Sequence, residues 1–188
     1  MKPPAARIEK PDMEARRVPA YVVGRFPPVD ANEWRRMDNN AKAKLGKARF
    51  IELPDALDAT SERVALWLTE RGLEASRREW VEVAVAPDIP ARYVNLAYTT
   101  RCIDAFRDRD GELRGCELKV SGSDGVCGLT VNEERLLRGG HIGIFIVNPV
   151  RGLIGEMDTE ALLSVPRRLD GIPVGQASVE WQGERTAA

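Results

Sequence analysis

Cys102-Ile103-Asp104-Ala105-Phe106-Arg107-Asp108-Arg109-Asp110-Gly111-Glu112-Leu113-Arg114-Gly115-Cys116-Glu117-Leu118-Lys119-Val120 is the stretch on which the fold turns. Two alternating runs flank Asp110-Gly111. Asp-Gly in that setting reads as a two-residue hairpin turn, because both turn positions need a positive φ. Such a turn sets the register: Arg109 opposes Glu112, Ala105 opposes Cys116, and Ile103 opposes Leu118. Ile103, Ala105, Cys116, Leu118 and Val120 are then expected on one apolar face. Cys102 falls on the other face, with Asp104 and Glu117, so Cys102 and Cys116 are not expected to bond.

Downstream, Ser121 to Gly125 reads as a flexible loop, and Thr130 with Glu133 as a capping box on a short helix ending at Gly139. His141 to Val147 is apolar on both faces, as in a covered central strand. Asn148-Pro149 closes it, and Gly152 to Met157 reads as its hairpin partner. A short capped helix over Asp158 to Ser164 and a last strand over Val174 to Trp181 complete this part.

Upstream, Val81, Val83 and Val85 alternate with Glu82 and Ala84, and Val94, Leu96 and Tyr98 repeat the theme. Before them lie two helices. Asp30 is an N-cap candidate with Glu33 at the capping-box position, and Trp34, Met37, Ala41 and Leu45 recur at helical spacing toward Gly46. The second helix spans Asp55 to Arg71, where Gly72 ends it and Leu73 folds back on Leu68. Ahead of both, Pro3, Pro4, Pro11, Pro19, Pro27 and Pro28 favour extended backbone.

The expected fold is α+β and mainly antiparallel, a sandwich or open barrel with an extended N-terminal arm and two N-terminal helices. Its expected parts are an arm over residues 1–30, a helical segment over 31–78, an antiparallel β domain with short helices over 79–181, and a polar tail over 182–188. The connections between strands read as mostly too short for βαβ crossovers.

Acids and bases nearly balance, for a net charge of −1, so the total charge gives no reason to expect a polyanion or an anionic membrane as a general partner. No apolar run approaches the roughly 20 residues that span a bilayer. Met1 to Lys10 lacks the apolar core of a secretory signal, and three cysteines are too few for a disulfide scaffold, so a reducing cytosolic setting is expected.

Cys127 and His141 are the candidate chemical pair, since a cysteine at a helix start beside a histidine is how a thiol becomes a nucleophile. The run His141-Ile142-Gly143-Ile144-Phe145-Ile146 resembles the strand that begins with the catalytic histidine of the NlpC/P60 cysteine peptidases. That resemblance implies a thiol hydrolase or transferase using Cys127 and His141. The family's Asp-Cys-Ser-Gly-Leu run is absent, and only 13 residues separate the two positions. Cysteine and histidine spacings match no zinc motif, and Gly122, Gly125 and Gly128 match no phosphate loop, so no metal or cofactor is expected.

The expected role is therefore non-catalytic: a structural or interaction protein in an oligomeric assembly with other protein subunits. A phage-type virion accessory or connector protein is one concrete form of it. Val18, Tyr21, Val22, Val23 and Phe26, apolar residues in a proline-rich arm, are the expected partner-binding side chains.

Overall fold

The Asp110-Gly111 hairpin forms in the expected register, with Arg109 opposite Glu112 and Ala105 opposite Cys116. Both turn residues have positive φ, 56° and 84°, as a type I′ turn requires. The structure is a computed structural model that describes residues 16–73, 80–83, 92–95, 102–126, 128–165 and 177–184. Its elements in chain order are β1 (Arg16–Arg25), α1 (Ala31–Arg36), α2 (Asn39–Ile51), β2 (Ala56–Asp58), α3 (Ser61–Glu70), β3 (Trp80–Val83), β4 (Arg92–Asn95), β5 (Ala105–Arg109), β6 (Glu112–Val120), α4 (Val131–Arg138), β7 (Ile142–Asn148), β8 (Leu153–Met157), α5 (Thr159–Ser164) and β9 (Ala177–Gln182).

Seven strands form one sheet in the order β2-β5-β6-β7-β8-β1-β9, while β3 and β4 pair separately. The α+β class holds, but the sheet is mixed and is not an antiparallel sandwich. β6 runs parallel to β7, and β1 runs parallel to β9. Most connections are expected to be too short for a crossover, and the one between Val120 and Ile142 is long enough. There the segment carries α4, which packs on β7 and returns the chain to the same end of the sheet.

The two faces carry separate cores. On one, Trp67 and Leu68 of α3, Leu136 and Leu137 of α4 and Leu162 of α5 pack on Phe106, Ile142, Ile144 and Ile146. On the other, Phe50 of α2 packs on Ala105, Cys116, Leu118, Phe145 and Val147. Phe50 meets Phe145 edge-on with ring centroids 5.1 Å apart. Full burial of each such side chain contributes roughly 1.5–3 kcal/mol, so this two-sided covering dominates the sheet's stability. It also explains why β7 is buried along its whole length.

The helix signals held in part. Asp30 caps α1 by accepting from Asn32 and Glu33 backbone N–H groups. The single helix expected up to Gly46 is broken at Met37, and Asp38 caps α2 afresh by accepting from Ala41. Gly46 lies inside α2, pressed against Val120, and is not a cap. The Asp55 to Arg71 segment gives its first residues to β2 before α3 begins. Gly72 then ends α3 at φ 64°, with Leu73 N–H donating back to Leu68 at 2.8 Å. Thr130 and Glu133 form the expected capping box of α4.

The arm expected over residues 1–30 contains an interior strand. β1 is extended, as its prolines favour, yet it pairs with β8 on one side and β9 on the other. Val18 and Ala20 point into the core shared with α5 and β9, and Val22 is buried as well. The sheet therefore depends on residues at both ends of the chain. Deletion of residues 1–28 is expected to abolish cooperative urea unfolding followed by far-UV circular dichroism. A truncated chain that unfolds at the full chain's midpoint would contradict this placement of β1.

Candidate functional site

The partner-binding side chains expected near the N-terminus are largely covered by their own chain. Val18 and Val22 are buried, and Val23 and Phe26 pack against the Phe50 core. Tyr21 is half-buried and lies opposite Glu156 of β8. Of the Cys127/His141 pair, Cys127 lies outside the described residues. His141, half-buried, precedes β7, whose other end, Asn148, donates to Asp124. The loop expected to be flexible is anchored there: Asp124 accepts from Arg151, from Asn148 at 3.2 Å and from Trp181 at 3.0 Å. These donors outweigh burial and hold its carboxyl below the usual value.

The densest buried polar chemistry lies on the hairpin itself. Register leaves Glu117 and Lys119 on the same side of β6, facing the crossover helix α4. Lys119 Nζ lies 3.1 Å from Glu117 Oε1 and 2.7 Å from Glu133 Oε2. That same Glu133 oxygen accepts from Thr130 N–H at 2.9 Å, so the cap of α4 and the ion pair share one carboxylate. Asn132 is buried beside them in the same helical turn.

Asp104 joins this group through a break in the strand ladder. Its backbone N–H donates to Cys116 at 2.8 Å, and its Oδ2 accepts from Leu118 N–H at 2.8 Å. The side chain thus takes the place of a backbone acceptor. For this reason Ile103 does not oppose Leu118 as expected. Ile103 and Cys102 enter the core with Phe106, while Leu118 enters the core with Phe50. Cys102 and Cys116 remain buried, are not bonded to each other and lie on opposite faces, as the register implied.

Charge balance in this cluster is tilted toward the acids. Burial pushes Glu117 up from the ordinary carboxylate range. The Lys119 charge opposes this, while Asp104 and Glu133 reinforce it. Burial would pull Lys119 down, but Glu117 and Glu133 overcome it and the ammonium is held above its usual value. Lys119 therefore keeps its proton at neutral pH. Cys102 is pushed up to about 12 by burial and by the charges of Glu117 and Glu133. Cys116 rises to about 12 mainly through burial. Neither thiol is suited to act as a nucleophile.

Glu117 Oε2 is buried and makes no hydrogen bond. An acceptor in that position is costly unless something positive reaches it. Among the described residues no three carboxylate, imidazole or thiol side chains converge as a ready-made metal cage. Asp104 and Glu117 are nevertheless a pair of oxygen donors suited to a hard cation such as Mg2+, which takes one or two carboxylates and completes its shell with water or phosphate oxygen.

Sequence reasoning grouped Asp104 with Glu117 on one hairpin face and went no further. The missed signal was Lys119, two residues beyond Glu117 and hence on that face too, which makes three ionisable groups on the side of a hairpin that must be covered. No helix among the described residues is long and apolar enough to cross a membrane. Comparison with protein families, with curated proteins and with solved structures finds no match.

The sign of the Glu117 shift makes a stability prediction. A carboxyl raised on folding contributes stability that is present below its unfolded value and is lost as pH climbs through the folded one. Glu117→Gln should therefore be at least as stable as the wild type at pH 8 and similar at pH 5, measured by urea denaturation. Lys119→Met, which leaves Glu117 and Glu133 without their shared cation, should cost about 3–5 kcal/mol at pH 8. The opposite ranking at pH 8 would contradict the charge assignment.

Proposed function

We propose that this chain is a divalent-metal-dependent phosphodiester hydrolase acting on nucleic acid, with Asp104, Glu117 and Lys119 as its working residues. The observation that carries the reading is the hairpin break that sets the Asp104 carboxylate beside the strand bearing Glu117 and Lys119. The placement supports it too. The group lies toward the C-terminal end of β6, one of two parallel strands, and beside the start of the helix that connects them, a place where open α/β sheets bind ligands.

The types of residue favour phosphate chemistry. Two acids without a cation would repel a phosphodiester. With Mg2+ held between Asp104 and Glu117, the same acids recruit it, and the bound metal would supply charge neutralisation and a more acidic water. Lys119, protonated, is a point charge for a phosphoryl oxygen and not the base that removes the water's proton. Glu133 holds Lys119 in place through the cap of α4. Arg35, Lys42, Ser121 and Ser123 line a separate cleft of about 470 Å3 at the end of β6, on the α2 face of the sheet and not on the α4 face that Lys119 occupies. Such donors suit a polyanion's backbone even where the total charge of the chain is near zero.

The assembly role expected from the sequence rested on apolar residues needing cover from another copy, and the chain itself covers Val18 and Val22. A thiol mechanism would need Cys127 and His141 to meet. Of that pair the structure describes only His141, so no observation favours the thiol reading.

The test is incubation of the purified protein with linear and plasmid DNA and with RNA, in Mg2+ or Mn2+, resolved by electrophoresis. Cleavage should require the metal and stop with EDTA. Asp104→Asn and Lys119→Ala should each reduce it by about 100-fold or more while the far-UV spectrum is retained. Failure to cut any of these substrates with either metal, or undiminished cutting by both variants, would sink the proposal.

A further inference from the structure

A second polar site stands at the other end of β6. Arg71 after α3, Arg109 of β5, Arg114 of β6 and His141 before β7 line a cavity of about 280 Å3, with Glu112 at its wall. β6 runs five residues from Arg114 to Lys119, about 17 Å at strand spacing, so this is not part of the Asp104–Lys119 group.

These cationic groups are held in place by contacts that leave donors over. Arg71 donates to the Leu113 carbonyl at 3.0 Å, and its guanidinium carbon sits 4.4 Å over the Trp67 ring. Arg114 and Arg109 donate to the same carboxylate, Glu156 on β8, at 2.7 Å and 3.3 Å. Glu156 is only 5% exposed, and Arg107 lies 3.9 Å from it while also pairing with Asp55 at 2.6 Å. Gly143 makes this reach possible. A Cβ there would stand 3.3 Å from the Arg114 guanidinium carbon, so glycine lets that group lie across β7 toward Glu156.

Four guanidinium groups here are balanced by the four carboxylates of Asp55, Glu70, Glu112 and Glu156, so what the cavity offers a ligand is hydrogen-bond donors and not net charge. Each guanidinium has five N–H donors, and those not spent on Glu156 or Leu113 remain for a ligand. The donors come from α3, from the hairpin and from the start of β7. That convergence suits an acceptor with terminal oxygens in several directions better than a planar carboxylate with two. We propose that this cavity binds a phosphoryl group, either as inorganic phosphate or as the terminal phosphate of a nucleotide.

Isothermal titration at constant ionic strength tests it, with inorganic phosphate in one arm and a nucleoside 5′-monophosphate in the other. The expected result is one saturable site per chain, and the tighter ligand identifies the source. Arg109 is well exposed, so Arg109→Gln should fold normally and weaken binding by about tenfold, as should Arg71→Gln. Lys119→Ala, which disables the proposed hydrolase centre, should leave this binding unchanged, so the two readings can fail separately. No saturable binding of either ligand, or binding that neither arginine variant weakens, would overturn the proposal.

Discussion

Lys119 sits between two buried carboxylates, and the middle of the molecule is arranged around that ammonium group. Glu117 belongs to the hairpin and Glu133 to the first turn of the crossover helix, so one cation joins the sheet to the helix that makes β6 and β7 parallel. A capped, amphipathic α4 would pack on the sheet in any case. The ion pair sets where its first turn lies, because Glu133 cannot serve both the Thr130 cap and Lys119 from another register. Burying these charges costs stability compared with an apolar core, and proteins commonly retain such costs where the groups have work to do.

Asp104 is the complementary constraint. A strand that continued through residue 104 would have given Leu118 a backbone partner and placed Ile103 beside it. The aspartate instead satisfies Leu118 with its own carboxylate and turns Cys102 and Ile103 into the other core. A polar residue at a ladder break is a costly way to end a strand, which is why its position beside Glu117 and Lys119 carries weight in the functional reading. At the far end of the same strand, Glu156 gathers three arginines across β7 in a separate electrostatic group.

The local signals were readable where backbone chemistry decides them. Asp110-Gly111 set both the turn and the register, Thr130 and Glu133 marked α4, and Gly72 with Leu73 closed α3. What could not be read were the long-range pairings. The extended, apolar character of Val18 to Val23 was visible, but the same side chains would be covered equally well by a neighbouring copy or by β8 and β9. Only the fold shows that its own strands do so. The parallel β6–β7 pair is not legible because a short capped helix between two strands does not by itself say to which end of the sheet the chain returns. The candidate site was half legible, since Asp104 and Glu117 shared a face by register, whereas the approach of Glu133 depends on how the crossover folds back.

The most direct measurement of the central claim is Mn2+ binding followed by electron paramagnetic resonance, with Mg2+ as competitor. The account predicts a saturable site, displaced by Mg2+, that is lost when Asp104→Asn and Glu117→Gln are combined in one chain that still folds. Binding that survives this double substitution, or no binding in the unaltered protein with or without nucleic acid, would contradict it.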